Sequence, residues 1–96
     1  MYVLSQKGDI TINVKSTVGF KAQRIEFGEG WEIRTIFPDS EYRIAVYDTE
    51  ERAKEVLQEL MDYYSNIEKN LAYSAGNSNY IPYTYECPYY FKMPKK

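Results

Sequence analysis

Three arginines, Arg24, Arg34 and Arg43, are the residues of this chain best equipped to hold a ligand, because guanidinium forks bind phosphate and carboxylate groups bidentately. Each falls within a run that alternates apolar and polar residues, so each is expected on a β-strand and on the face turned away from the apolar side chains. Like charges set opposite one another destabilise a sheet, so such a cluster requires either compensating carboxylates or a bound anion. Glu26, Glu32 and Glu41 are placed to supply the first, as a solvated salt-bridge network of small worth per pair. Tyr47, read onto the same face, would stack a base beside a bound phosphate.

A second constellation follows it. Of eleven tyrosines, eight lie between Tyr63 and Tyr90, in company with Asn70, Asn77 and Asn79. Asparagine amides read base and ribose edges, and Tyr63 or Tyr64 offers a ring to stack on. The competing expectation is that these tyrosines cover a sheet edge or form a subunit interface. For catalysis the chain offers little: it has no histidine, one cysteine (Cys87), no glycine-rich phosphate loop and no metal-ligand cluster. Glu50, Glu51, Glu55, Glu59 and Asp62 lie on a helix face that reads as solvated. The expectation is therefore a protein with no catalytic residues, no metal and no cofactor.

The element that must position these groups is Asp48–Asn70. Ala53, Val56, Leu57, Leu60, Met61, Tyr64 and Ile67 recur at spacings of three and four, which places them on one stripe of an amphipathic helix. Asp48 and Glu51 have the spacing of a capping box. The stripe requires a partner surface, and the β-rich half before it supplies one. Met1–Gln6 reads as a short strand ending at Lys7-Gly8-Asp9, and Ile10, Ile12 and Val14 alternate with polar residues in a second. Phe20–Phe27, Trp31–Phe37 and Tyr42–Tyr47 follow, separated by Gly28-Glu29-Gly30 and Pro38-Asp39-Ser40-Glu41. The fold class is thus α+β: an antiparallel sheet of four to six strands with one long helix across one face. A single domain is expected, β-rich over 1–47, helical over 48–70, then a tyrosine-rich loop and an edge strand (Tyr89–Met93) over 71–96.

Register follows from keeping apolar residues on one face. A three-residue loop at Gly28-Glu29-Gly30 pairs Phe27 with Trp31 and Ile25 with Ile33, which sets Arg24 opposite Arg34. A four-residue loop pairs Phe37 with Tyr42, which leaves Arg43 one diagonal step from Arg34. The helix is then expected on the face made of Ile25, Phe27, Trp31, Ile33, Phe37, Tyr42, Ile44 and Val46.

A formal charge of −2 speaks against a dedicated, sequence-specific nucleic-acid binder. A lone cysteine rules out an internal disulfide and suits a reducing, cytoplasmic setting. No apolar run approaches a membrane span, and the N-terminus lacks a signal-peptide pattern. Ninety-six residues support only a modest core, which favours assembly into a homo-oligomer.

Three stretches, VLSQKGDITIN, YDTEERAKEVLQEL and YYFKMP, together resemble small proteins of Firmicute phages and prophages, and within that group the Thoeris anti-defence sponge family. The resemblance implies a non-enzymatic oligomer in the cytoplasm of an infected host cell. It would sequester a cyclic ADP-ribose-type or cyclic nucleotide immune signal without cleaving it, through arginines, a stacking aromatic and an asparagine. The alternative expectation is a protein-interaction module that inhibits a host protein by docking through the tyrosine-rich C-terminal segment.

Overall fold

The computed structural model describes residues 1–75 and 90–96, with side chains over 1–67 and 90–96. The fold is α+β. Its strands are divided between two three-stranded sheets, with one long helix packed against them. In the first sheet β1 (Tyr2–Leu4) lies between β2 (Thr11–Asn13), antiparallel, and β6 (Tyr90–Lys92), parallel. The alternation around Ile12 does produce a strand, though a short one. Asn13 accepts a hydrogen bond from the Lys15 N–H and turns the chain into a 3-10 turn at Val14–Ser16. The expected turn at Lys7-Gly8-Asp9 closes on Ser5, whose hydroxyl donates to Asp9 and accepts from the Ile10 N–H. Val3 pairs with Ile12 on one side and Phe91 on the other, and is fully buried.

The second sheet runs β3 (Gly19–Arg24), β4 (Trp31–Phe37), β5 (Ser40–Tyr47), all antiparallel. Its register differs from the expected one in two places. β3 ends at Arg24, which sits opposite Trp31, so the connection to β4 has six residues, 25–30, and not three. The Ile25 N–H donates to the Gly30 carbonyl across the neck of this loop, and Gly30 adopts φ +99°, open to glycine alone. Phe27, expected inside, lies in the loop and is 93% exposed. The second turn is shorter than expected: Phe37 pairs with Ser40 across Pro38-Asp39. Arg34 pairs with Arg43, but Ile33 pairs with Ala45, so Ile44 is the extra residue of a β-bulge.

That bulge exchanges the faces of the end of β5. Ala45 and Tyr47 turn into the core, and Val46 pairs with Glu32 on the outer face. The helix therefore packs over Phe20, Ala22, Trp31, Ile33, Ala45 and Tyr47, with Ile44 also buried; Ile25, Phe27 and Val46 are not part of that surface. Gln6 secures the bulged edge. Its N–H donates to the Ile44 carbonyl, and its side-chain amide pairs with Val46 as a strand neighbour would, through Oε1 to the N–H and Nε2 to the carbonyl. Nε2 also donates to the carbonyls of Pro94 and Lys95, which ties β5 to the end of the chain.

α1 spans Glu50–Ala75. Its N-cap is Thr49 and not Asp48: the Arg52 N–H donates to Thr49 Oγ1 at 3.1 Å, and the Ala53 N–H donates to the Thr49 carbonyl. The apolar stripe is buried where expected at Ala53, Val56, Leu60 and Ile67, while Met61 at its margin is half exposed. Each fully buried Val or Leu on that stripe contributes about 1.5–3 kcal/mol of transfer free energy.

Candidate functional site

The outer face of the second sheet, opposite α1, carries a row of cations across three strands. Lys21 on β3 pairs with Arg34 on β4, and Arg34 pairs with Arg43 on β5. Arg34 and Arg43 thus come together more directly than the sequence register had them. Arg24 does not join them. Moving the β3 register by three residues, an odd number, exchanges the faces of that strand, so Lys21 takes its place and Arg24 lies on the helix face.

Two carboxylates knit the row together. Glu32 is 3% exposed. Its Oε1 accepts from Arg34 Nη1 and from Arg43 Nε, both at 2.9 Å, and its Oε2 accepts from Gln23 Nε2 at 3.2 Å. Glu41 at the surface accepts from Arg34 Nε at 3.2 Å and lies 3.0 Å from Lys21 Nζ. The expected carboxylate compensation is therefore real for Glu32 and Glu41. Burial works to raise the Glu32 pKa, but hydrogen bonds from Arg43, Arg34 and Gln23 overcome it and hold the group below its ordinary 4.5. The Lys21 hydrogen bond lowers Glu41 likewise, and the Glu32 hydrogen bond raises Arg34. For Glu32, Glu41 and Arg34 these shifts all favour the charged form.

The network does not consume all the donors. Arg43 is bound through Nε alone; its Nη1 and Nη2 make no hydrogen bond among the described residues, and its side chain is 48% exposed. Row, carboxylates and loop 25–30 together border a hollow of about 350 Å³, with Ile25, Glu26 and Phe27 on its rim. Lys21 and Phe27 are the members that sequence reasoning missed; Glu32 was expected there as a compensating carboxylate. The pairing of Lys21 with Arg34 would have been found only by allowing a longer loop after β3.

The other expected ligand residues are distributed elsewhere. Tyr47 is 3% exposed on the helix side, and its hydroxyl donates to the Pro94 carbonyl at 2.6 Å, so it stacks no base on the outer face. Tyr63 packs its ring on Phe91 at 5.7 Å between centroids, and Tyr64 lines a groove beside β3. Asn70 lies on α1. Asn77 and Asn79 lie outside the described residues, as do Tyr80, Tyr83, Tyr85 and Tyr89 of the segment expected to dock on a partner. The described residues contain no cluster able to ligate a metal.

Tyr47 supplies a test of its burial. Desolvation pushes its pKa from 10.0 to about 12, with the Arg52 cation opposing and Glu59 adding. A folded-state pKa above the unfolded value gives stability that is complete below pH 10 and is lost as pH rises through about 12. In an ultraviolet titration, one tyrosine is expected to ionise late and together with unfolding. Tyr47→Phe should remove that late component.

No helix of the described residues is long and apolar enough to cross a membrane. No protein-family model, curated protein or solved structure matches the chain.

Proposed function

We propose that the protein captures a small phosphorylated ligand on the outer face of the β3–β4–β5 sheet and does not turn it over. The observation that carries this reading is the outward pair Nη1 and Nη2 of Arg43, set in a row with Arg34 and Lys21 and held from beneath by a buried carboxylate. A guanidinium whose Nε is anchored by Glu32 has its remaining fork pre-organised, so less side-chain entropy is lost when an anion binds. Lys21, 39% exposed, exchanges Glu41 for the ligand at little cost, because a surface pair is worth little. Phe27, on the rim of the same hollow, takes over the stacking role that sequence reading gave to Tyr47.

The resemblance to the sponge family supplies the class of ligand to screen first: cyclic ADP-ribose isomers and cyclic di- and trinucleotides. A ligand at ~100 times its dissociation constant stabilises the fold by about 2.7 kcal/mol, a thermal shift of several degrees. The expected result is such a shift with one nucleotide class, none with sulfate, and none for Arg43→Glu with the same nucleotide. An unshifted melt of the unmodified protein with every nucleotide would overturn the reading.

A further inference from the structure

β3 is the longest strand edge left unpaired among the described residues. It runs for six residues, whereas β2 and β6 run for three each, and the outer edge of β5 is engaged by Gln6. The bulge of this sheet lies between β4 and β5, so β3 itself is regular. A regular open edge is a template for another strand. Its two ends are apolar and exposed: Val18 before it is 69% exposed and Phe27 after it is 93% exposed. Arg24, at its end, is exposed and forms no ion pair among the described residues.

We propose that β3 pairs antiparallel with β3 of a second copy across a two-fold axis, joining two three-stranded sheets into one of six strands. The register follows from the side chains. A two-fold axis perpendicular to the sheet keeps each residue on its own face, and residues directly opposite share a face, so the pairing must centre on a single residue. Centring on Lys21 sets two ammonium groups against each other, which destabilises the pair. Centring on Ala22 sets Ala22 against itself, with no charge and no bulk.

The neighbours then complement one another twice over. Lys21 falls opposite the partner's Gln23, whose amide already donates to Glu32, so the ammonium approaches a buried carboxylate. On the helix face Arg24 falls opposite the partner's Phe20, a cation over an aromatic ring, beside an apolar groove of about 370 Å³ that Phe20 shares with Leu60, Met61 and Tyr64. Val18 and Phe27 lie nearly symmetrically about Ala22, so the inversion brings Phe27 of each copy beside the partner's Thr17 and Val18. Both exposed apolar ends are covered by one operation. On the outer face the cation row of one copy runs on into Gln23 and Glu32 of the other, which places two ligand-binding rows on one continuous surface.

Three measurements decide this without any ligand, so they stand apart from the fate of the capture reading. Light scattering of the unmodified chain is expected to give twice its 11.4 kDa. In a Cys87→Ser background, Lys21→Cys combined with Gln23→Cys is expected to oxidise to a covalent dimer, since residues directly opposite place Cβ atoms within reach of a disulfide. Either cysteine alone, lying diagonal to its own copy, is expected to stay uncrosslinked. Phe27→Asp should raise the dimer dissociation constant at least about tenfold, and, because Phe27 is exposed in the single copy, should leave the melt of the dissociated chain unchanged. A mass of one chain at every concentration would overturn the proposal. So would a dimer that the double variant fails to crosslink, or one indifferent to Phe27→Asp.

Discussion

Glu32→Ala is expected to lower folding stability by about 2–4 kcal/mol, measured by urea denaturation at pH 7. Glu32 is the carboxylate on which the outer face depends. Arg34 lies directly opposite Arg43, and one oxygen of Glu32 accepts from both. Removing it leaves two like charges facing each other and an unpaired Gln23 amide over a newly opened space. The loss stays below that of a fully buried ion pair because Arg43 is half exposed and turns to water. Glu32→Gln keeps the volume and an acceptor, and should cost about half as much.

The pH dependence has a definite sign. Burial raises the Glu32 pKa, yet its three hydrogen-bond donors bring it below 4.5. A carboxylate depressed in the folded state contributes stability that is present above its unfolded pKa and is lost as pH falls through the folded one. The unmodified protein should therefore weaken on acidification below about pH 4.5, and Glu32→Gln should show a flatter curve in that window. Glu41, depressed by Lys21 and Arg34, acts in the same direction in both proteins. The Gln variant also separates two ways of attracting an anion. If net charge dominated, removing a carboxylate would tighten ligand capture; if the anchored Arg43 fork dominates, capture weakens. The second outcome is expected.

What the sequence made legible was whatever depended on periodicity. The helix stripe is such a case: Ala53, Val56 and Leu60 are spaced to share one face and all three are buried. β4 is another, since Trp31, Ile33 and Thr35 alternate with Glu32 and Arg34 with no interruption. Register was less legible, because it turns on single residues. Two connections rich in turn formers each admit several lengths, and the one after β3 proved to be six residues, which carried Arg24 to the wrong face and Lys21 to the right one. Keeping Ile25 and Phe27 on the apolar face, and Glu26 off it, selects the shorter loop. A phenylalanine in a loop beside glycines has no strand periodicity to obey, and here it stays in solvent. At β5 the shorter turn kept the same parity as the expected one, so Arg43 remained on the outer face. The bulge at Ile44 then reversed the parity beyond it, and Tyr47 went into the core. No local composition marks that bulge. The groups it turns outward are taken up some forty residues away in sequence, by the backbone and side chain of Gln6.

Gly30→Ala is expected to cost about 2–4 kcal/mol, whereas Gly28→Ala, two residues earlier in the same loop, should cost less than about 1 kcal/mol. The two glycines look alike in sequence, but their surroundings differ. Gly30 has φ +99°, a conformation that side chains rarely adopt, and a Cβ there would come within 2.8 Å of the Tyr47 carbonyl oxygen. That oxygen cannot withdraw: Tyr47 pairs with Trp31, its ring is buried, and its hydroxyl is tied to Pro94. A Cβ on Gly28 would meet only Cγ2 of Ile25, at 3.3 Å, a side chain with room to give. Because the Gly30 carbonyl accepts the Ile25 N–H at the neck of the loop, the strain falls where Arg24 meets Trp31 and spreads to the neighbouring pair of Gln23 and Glu32. Denaturation of the two variants side by side checks the difference. Equal losses would mean that Tyr47 yields to the added methyl, and that the six-residue loop does not set the register that brings Lys21 to Arg34.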